Sequence, residues 1–156
     1  MARHALLAAP LLCAACLLAL PALAQPKPSD APPRTPAPKD ASVYIGWPQD
    51  GAVVGPGPFK VWFGTRNFGV APAGVAFPNT GHHHILVDAP VPPAGEPIPN
   101  DRNHLHYGLG QTETMLDLPP GRHTLQLVMG DENHVVHDPP VISRRITITV
   151  RGPARQ

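Results

Sequence analysis

From Val43 onward the chain alternates apolar and polar residues in short runs. In Val43-Tyr44-Ile45-Gly46-Trp47 the odd positions are apolar, and Pro48-Gln49-Asp50-Gly51 supplies turn residues after them. Phe59-Lys60-Val61-Trp62-Phe63 repeats the pattern, again with odd positions inward. A third strand is predicted over His82 to Asp88. A fourth covers Thr112 to Leu118, with Leu116 and Leu118 inward and Glu113 and Asp117 outward. After the turn Leu118-Pro119-Pro120-Gly121, a fifth runs from Arg122 to Met129, with Leu125, Leu127 and Met129 on one face. Val135-Val136 reads as a short edge strand, and Ile146, Ile148 and Val150 alternate with threonines in a last one. Period-two alternation bounded by turn residues defines half-buried strands. The expectation is an all-β domain over residues 43–151, an antiparallel immunoglobulin-like β-sandwich of about seven strands.

Composition narrows the choice in the same direction. Of 156 residues, 23 are proline and 14 glycine. Beyond Val43 the longest stretch free of both is Val141 to Arg151, 11 residues. A typical helix needs about 11–12 residues, which argues against helical bundles, doubly wound folds and coiled coils. Two connections are long and proline-rich, Arg66 to Thr80 and Ala89 to Gln111. Loops of that length in a compact domain are usually functional. Charge is balanced, with 12 Lys+Arg against 11 Asp+Glu, which argues against nucleic acid as a partner.

Residues 1–24 read as a secretory signal. Met1-Ala2-Arg3-His4 is a basic start, Ala5 to Leu20 is nearly all apolar, and Ala22-Leu23-Ala24 offers small residues for cleavage after Ala24. An acylated Cys16 is the competing lipoprotein reading. Both cysteines, Cys13 and Cys16, would leave with the signal, which removes thiolate chemistry from the mature chain. Residues 25–42 carry six prolines and read as a disordered tether, and residues 152–156 as a disordered tail. The expectation is a periplasmic or secreted monomer with no membrane span after cleavage.

Eight histidines remain beyond the signal: His82, His83, His84, His104, His106, His123, His134 and His137. Alternation places His82, His84 and Asp88 on one strand face and His83, half buried, on the other. His104-Leu105-His106 repeats the spacing, and His134 with His137 forms a further pair. Imidazole is the commonest protein ligand for zinc and copper. The predicted metal ligands are His82, His84, His106 and His134. His104 and His137 are candidates to substitute for these ligands or to surround them, and Asp88 or Asn133 to orient a ring through its other nitrogen. Without thiolates the ions to expect are copper or zinc, with nickel and non-haem iron as alternatives. Because imidazole binds metal only when deprotonated, and its ordinary pKa is about 6.5, affinity is expected to fall between about pH 7.5 and 5.5. His123 reads as a strand-end residue. Asp88, Glu113, Asp117 and Asp131 read as solvated surface carboxylates. No GxSxG, HExxH or phosphate-cradling loop is present, so enzymatic activity is not expected.

Several segments together resemble one family of exported bacterial domains of unknown function. They are Gly81-His82-His83-His84-Ile85-Leu86-Val87-Asp88, Asn100-Asp101 with His104 through Glu113, Leu118 through Leu127, Gly130 through His134, and His137-Asp138-Pro139-Pro140-Val141-Ile142-Ser143. The resemblance implies an exported single domain, Ig-like in fold, and no particular activity. A weaker likeness, of fold and residue type alone, is to small periplasmic copper carriers built on histidine-bearing sandwiches. Two functional readings lead, and a third, an enzyme using bound metal to activate water, stays open behind them. One is a non-enzymatic metal-binding or metal-handling protein. The other is a structural or protein-binding module, with a periplasmic protein as partner, whose histidines order the long loops.

Overall fold

The computed structural model of the protein describes residues 34–153, and within them every regular element is a strand. The expected signal segment and C-terminal tail therefore lie wholly or largely outside the described residues. No helix of the described residues is long and apolar enough to cross a membrane. Nine strands follow in order: β1 (Ser42–Trp47), β2 (Val53–Val54), β3 (Phe59–Arg66), β4 (Gly69–Val70), β5 (Thr80–Val87), β6 (His104–Tyr107), β7 (Glu113–Leu116), β8 (Gly121–Gly130) and β9 (Ile146–Val150). The three short strands β2, β4 and β6 are the ones the alternation does not reveal. Residues 135 and 136 form isolated bridges, to Pro97 and Gly130, instead of a strand.

Two sheets face each other in a sandwich-like arrangement. One has the order β1-β3-β7. The other runs β2-β9-β8-β5-β4, with β6 also paired to β5. Pairing between these strands is antiparallel except for two two-residue contacts, β2 with β9 and β4 with β5, which are parallel. The sheets are thus mixed where a purely antiparallel fold was expected. Inward residues of both sheets make the main core, among them Val61, Phe63, Ile85, Leu125, Leu127 and Ile148, each at most 2% exposed. Burying each large aliphatic side chain contributes about 1.5–3 kcal/mol.

β1 departs from simple alternation at its end. Gly46 has no partner of its own between the pairs Ile45–Phe63 and Trp47–Trp62. Such a bulge re-aims the residues after it. Trp47, expected inward, is 44% exposed. A Cβ on Gly46 would overlap the Trp62 indole, so only glycine lets that ring lie across the strand.

The strand that matters most is β5, because it is covered on both sides. His83, Ile85 and Val87 face the core between the sheets. The opposite face carries Leu86, which packs in a second apolar cluster with Ala89, Ile98, Val128 and Val136. Ala89, Ile98 and Val136 come from the connections after β5 and after β8. The long loop 88–103 therefore closes over the outer face of the sheet, and the histidines on that face end up inside the protein.

Bonding to the domain also reaches back before the expected boundary at Val43. Ala37 N–H donates to the Asp138 carbonyl at 3.1 Å, and Asp138 N–H to the Thr35 carbonyl at 3.0 Å. Arg34 pairs with the Asp138 carboxylate at 2.9 Å. The C-terminal part of the expected tether is thus a short arm bonded to the domain. Its N-terminal part, through residue 33, lies outside the described residues.

Candidate metal centre

The eight histidines divide into two groups of four. His82 and His84 come from one face of β5, His106 from β6 and His134 from the turn after β8. In the β5–β6 ladder His84 lies directly opposite His106. All six pairs of these four rings have centroids 4.8–5.8 Å apart. The Nε2 atoms of His82 and His84 are 2.9 Å apart, and those of His106 and His134 are 3.3 Å apart. Ligand atoms of His82, His84 and His106 lie within 4.8 Å of one another. His134 joins them through its contact with His106.

Glycines make this packing possible. A Cβ on Gly108 would overlap the His106 imidazole, and one on Gly130 would come within 3.1 Å of His84 Nε2. His134 itself has φ of 66°, a left-handed conformation that few non-glycine residues adopt. The turn that holds it there is built on Asp131. Asp131 Oδ1 accepts the N–H groups of Asn133 and Val135, both at 2.9 Å, and its carbonyl accepts the His134 N–H at 2.9 Å.

Burial lowers the pKa of three of these rings. Desolvation first, and then the neighbouring His134 and His106, push His82 down to about 4. Desolvation, followed by His82 and His106, pushes His84 down to about 2. His106 is lowered by desolvation and by His134. His82, His84 and His106 are therefore neutral near pH 7, with lone pairs available to an ion. Among the described residues the Nδ1 atoms of His82 and His84 have no hydrogen-bond partner. These two rings are held by packing, not by the second hydrogen bond that usually fixes a ligating imidazole.

The other four histidines are held by bonds elsewhere. His83, expected half buried, is fully buried. Its Nδ1 faces the Gln111 carbonyl at 3.1 Å, its ring stands edge-on to Phe63, and desolvation lowers it to about 4. His104 bonds Asp101 at 2.9 Å. His137 lies edge-on to Phe68, its ring nitrogens facing the carbonyls of Met129 and Thr80. His123 Nδ1 meets the Asp88 carboxylate at 2.7 Å and its Nε2 the Pro119 carbonyl at 2.9 Å. Burial by itself would lower His123, but Asp88 and the Pro119 carbonyl outweigh it and raise the group.

Among the described residues, none of the four expected around the ligands hydrogen-bonds a ring of His82, His84, His106 or His134. Asp88 ends β5 with φ of 54°, leaves the strand's alternation and bonds Thr124 and His123. Asn133 is exposed, and its side chain meets only Glu132. His104 and His137 are engaged as described. The residue missed by the sequence is Asp131, expected on the surface but only 3% exposed. Its one sequence signal is its place just after the long strand β8 and three residues before His134.

Fold and site define a small all-β domain with a partly buried cluster of imidazoles from two paired strands and a turn. The chain belongs to a family described as a domain of unknown function, DUF4399, whose model matches residues 61–151. No curated protein and no solved structure matches it.

Proposed function

We propose that the protein is an exported, non-enzymatic β-sandwich of the Ig-like kind that binds or handles a divalent or copper-type metal ion, held by His82, His84, His106 and His134. The observation that carries this reading is the convergence of four imidazoles from three elements, with two Nε2···Nε2 contacts of 2.9 and 3.3 Å. A tetrahedral zinc ion with Zn–N bonds of about 2.0–2.1 Å has ligand nitrogens about 3.3 Å apart. The donor set, all imidazole nitrogen, suits copper(II) and zinc(II). Neither methionine of the mature domain adds a soft donor: Met129 lies opposite His83 on the core side, and Met115 is exposed on β7. Buried polar groups without partners are costly, and an ion would give the clustered lone pairs a use.

The competing structural role is assigned to the other four histidines, each of which ties a loop or strand end to a carbonyl or carboxylate. Titration of tag-free protein with zinc(II) and copper(II) tests the assignment. One ion per chain is expected, with His82→Ala and His84→Ala each weakening binding strongly and His83→Ala much less. Equal small losses in all three would return the cluster to a structural role. Export is proposed from residues 1–24 alone. Purified exported protein should begin at Gln25, and a lipidated Cys16 found by mass analysis would replace that reading.

A further inference from the structure

We propose that the Asp131 carboxylate is the counter-charge of the histidine cluster, selecting a divalent over a monovalent ion, and that the arm from Arg34 to Ala37 holds it there. The proposal rests on the reading of the cluster as a metal site. Asp131 follows Gly130, the residue paired directly with His82 across the ladder. The carboxylate is 3% exposed and is satisfied by neutral donors. Asn133 and Val135 donate backbone N–H groups to Oδ1, and the Thr35 hydroxyl donates to Oδ2 at 2.7 Å. A buried charge with only neutral donors is costly unless a cation comes near. The four imidazoles carry no charge of their own when deprotonated, so an entering ion brings its full charge into the interior. Asp131 also anchors the ligand turn itself, since its carbonyl accepts the His134 N–H at 2.9 Å. The arm is fastened independently of the cluster. Arg34 donates to the His137 carbonyl at 3.1 Å and pairs with Asp138. Thr35 and Ala37 bond the Asp138 backbone.

Asp131→Asn is the direct test, because the amide keeps the Oδ1 acceptor for the two backbone donors, removes the charge, and leaves the Thr35 hydroxyl to accept from the new amide nitrogen in place of donating to Oδ2. Loss of a group that supports the ligands typically costs about 10–100-fold in metal affinity. Coulomb energy scales with the charge of the ion, so the logarithm of the loss should halve for copper(I). Affinities for zinc(II) and copper(II), and for copper(I) under anaerobic conditions, are read by chelator competition. The expected result is a loss of about 10–100-fold for the divalent ions and about 3–10-fold for copper(I). Unchanged divalent affinity, or equal losses for both charge states, overturns the proposal.

Thr35→Lys keeps Asp131 and sets an ammonium beside it, in a cavity of about 380 Å³ bordered by Arg34, Gly95, Pro97 and Asn133. It provides the same readout should Asp131→Asn fail to fold. It should weaken zinc(II) about tenfold by offsetting the same charge, and wild-type affinity in Thr35→Lys counts against the proposal. Wild-type protein that binds neither ion removes the metal reading itself, and this inference with it. A wild-type chain that binds while both variants match it removes only the role of Asp131.

Discussion

Lowering the pH of the metal-free protein from 7.5 to 5.0 should remove a large part of its stability. His82, His83 and His84 are fully buried, and desolvation lowers them to about 4, 4 and 2 respectively. In the unfolded chain each titrates near 6.5. Below that pH the unfolded state takes up protons that the folded state refuses, so stability falls as the pH falls. Each such group loses about 1.4 kcal/mol per pH unit. Between pH 6.5 and 5.0 that is about 2 kcal/mol per imidazole, or about 6 kcal/mol for three. His106 adds to the loss, because it is lowered too. His123 opposes it: its pKa is raised in the folded protein, so its contribution is fully present below 6.5 and fades above. A net loss of roughly 4–6 kcal/mol is comparable with the whole stability of many domains, about 5–15 kcal/mol.

Urea unfolding followed by far-UV circular dichroism, at half-unit pH steps with a chelator present, measures this loss. The slope should correspond to about three protons taken up on unfolding near pH 5.5. His83→Leu, which lies away from the cluster, should reduce the slope by about one proton. A change below about 1 kcal/mol across the whole window would refute the reasoning, because it would mean that the buried imidazoles accept protons in place.

Gly108→Ala should weaken zinc binding by about tenfold or more, since the added methyl overlaps the His106 ring; isothermal titration measures it. Ile85→Ala, at a fully buried position, should cost about 2–5 kcal/mol in urea unfolding. Asp88→Ala removes the bonds to Thr124 and His123. It should cost about 1 kcal/mol of stability and leave zinc affinity unchanged, because Asp88 lies away from the cluster.

What the sequence revealed was set by local period. Two-residue alternation separated His82 and His84 from His83, and it placed Leu125, Leu127 and Met129 in the core. It failed wherever a single residue broke the period. Gly46 bulges and turns Trp47 outward, and Asp88 takes a left-handed conformation and leaves the face its parity assigned. It also could not show coverage. β5 reads as a strand with one wet face, yet the loop 88–103 closes that face through Ala89 and Ile98. β6 stayed hidden because its four residues follow a proline-rich run and pair with a strand 18 to 24 residues earlier. Asp131 was invisible as a buried charge because one of its donors, Thr35, is 96 residues away.

The depressed imidazoles also change how an ion should be lost in acid. Ligands titrating near 6.5 would surrender a metal to protons between about pH 7.5 and 5.5. In the folded cluster His82 and His84 resist protonation until about pH 4 or below. Proton competition at these two ligands is therefore weak throughout that window. A bound ion also stabilises the folded state by an amount that grows with the logarithm of its concentration over Kd, which moves acid unfolding of the loaded protein to lower pH. Release and unfolding should then coincide as one transition below about pH 5, in place of a gradual loss centred on 6.5. Zinc release into a chromophoric chelator, recorded with far-UV circular dichroism over the same pH series, separates the two cases. Half-release near pH 6.5 from a chain whose strand signal is unchanged would show that the cluster titrates like exposed imidazole, and the burial argument would fail.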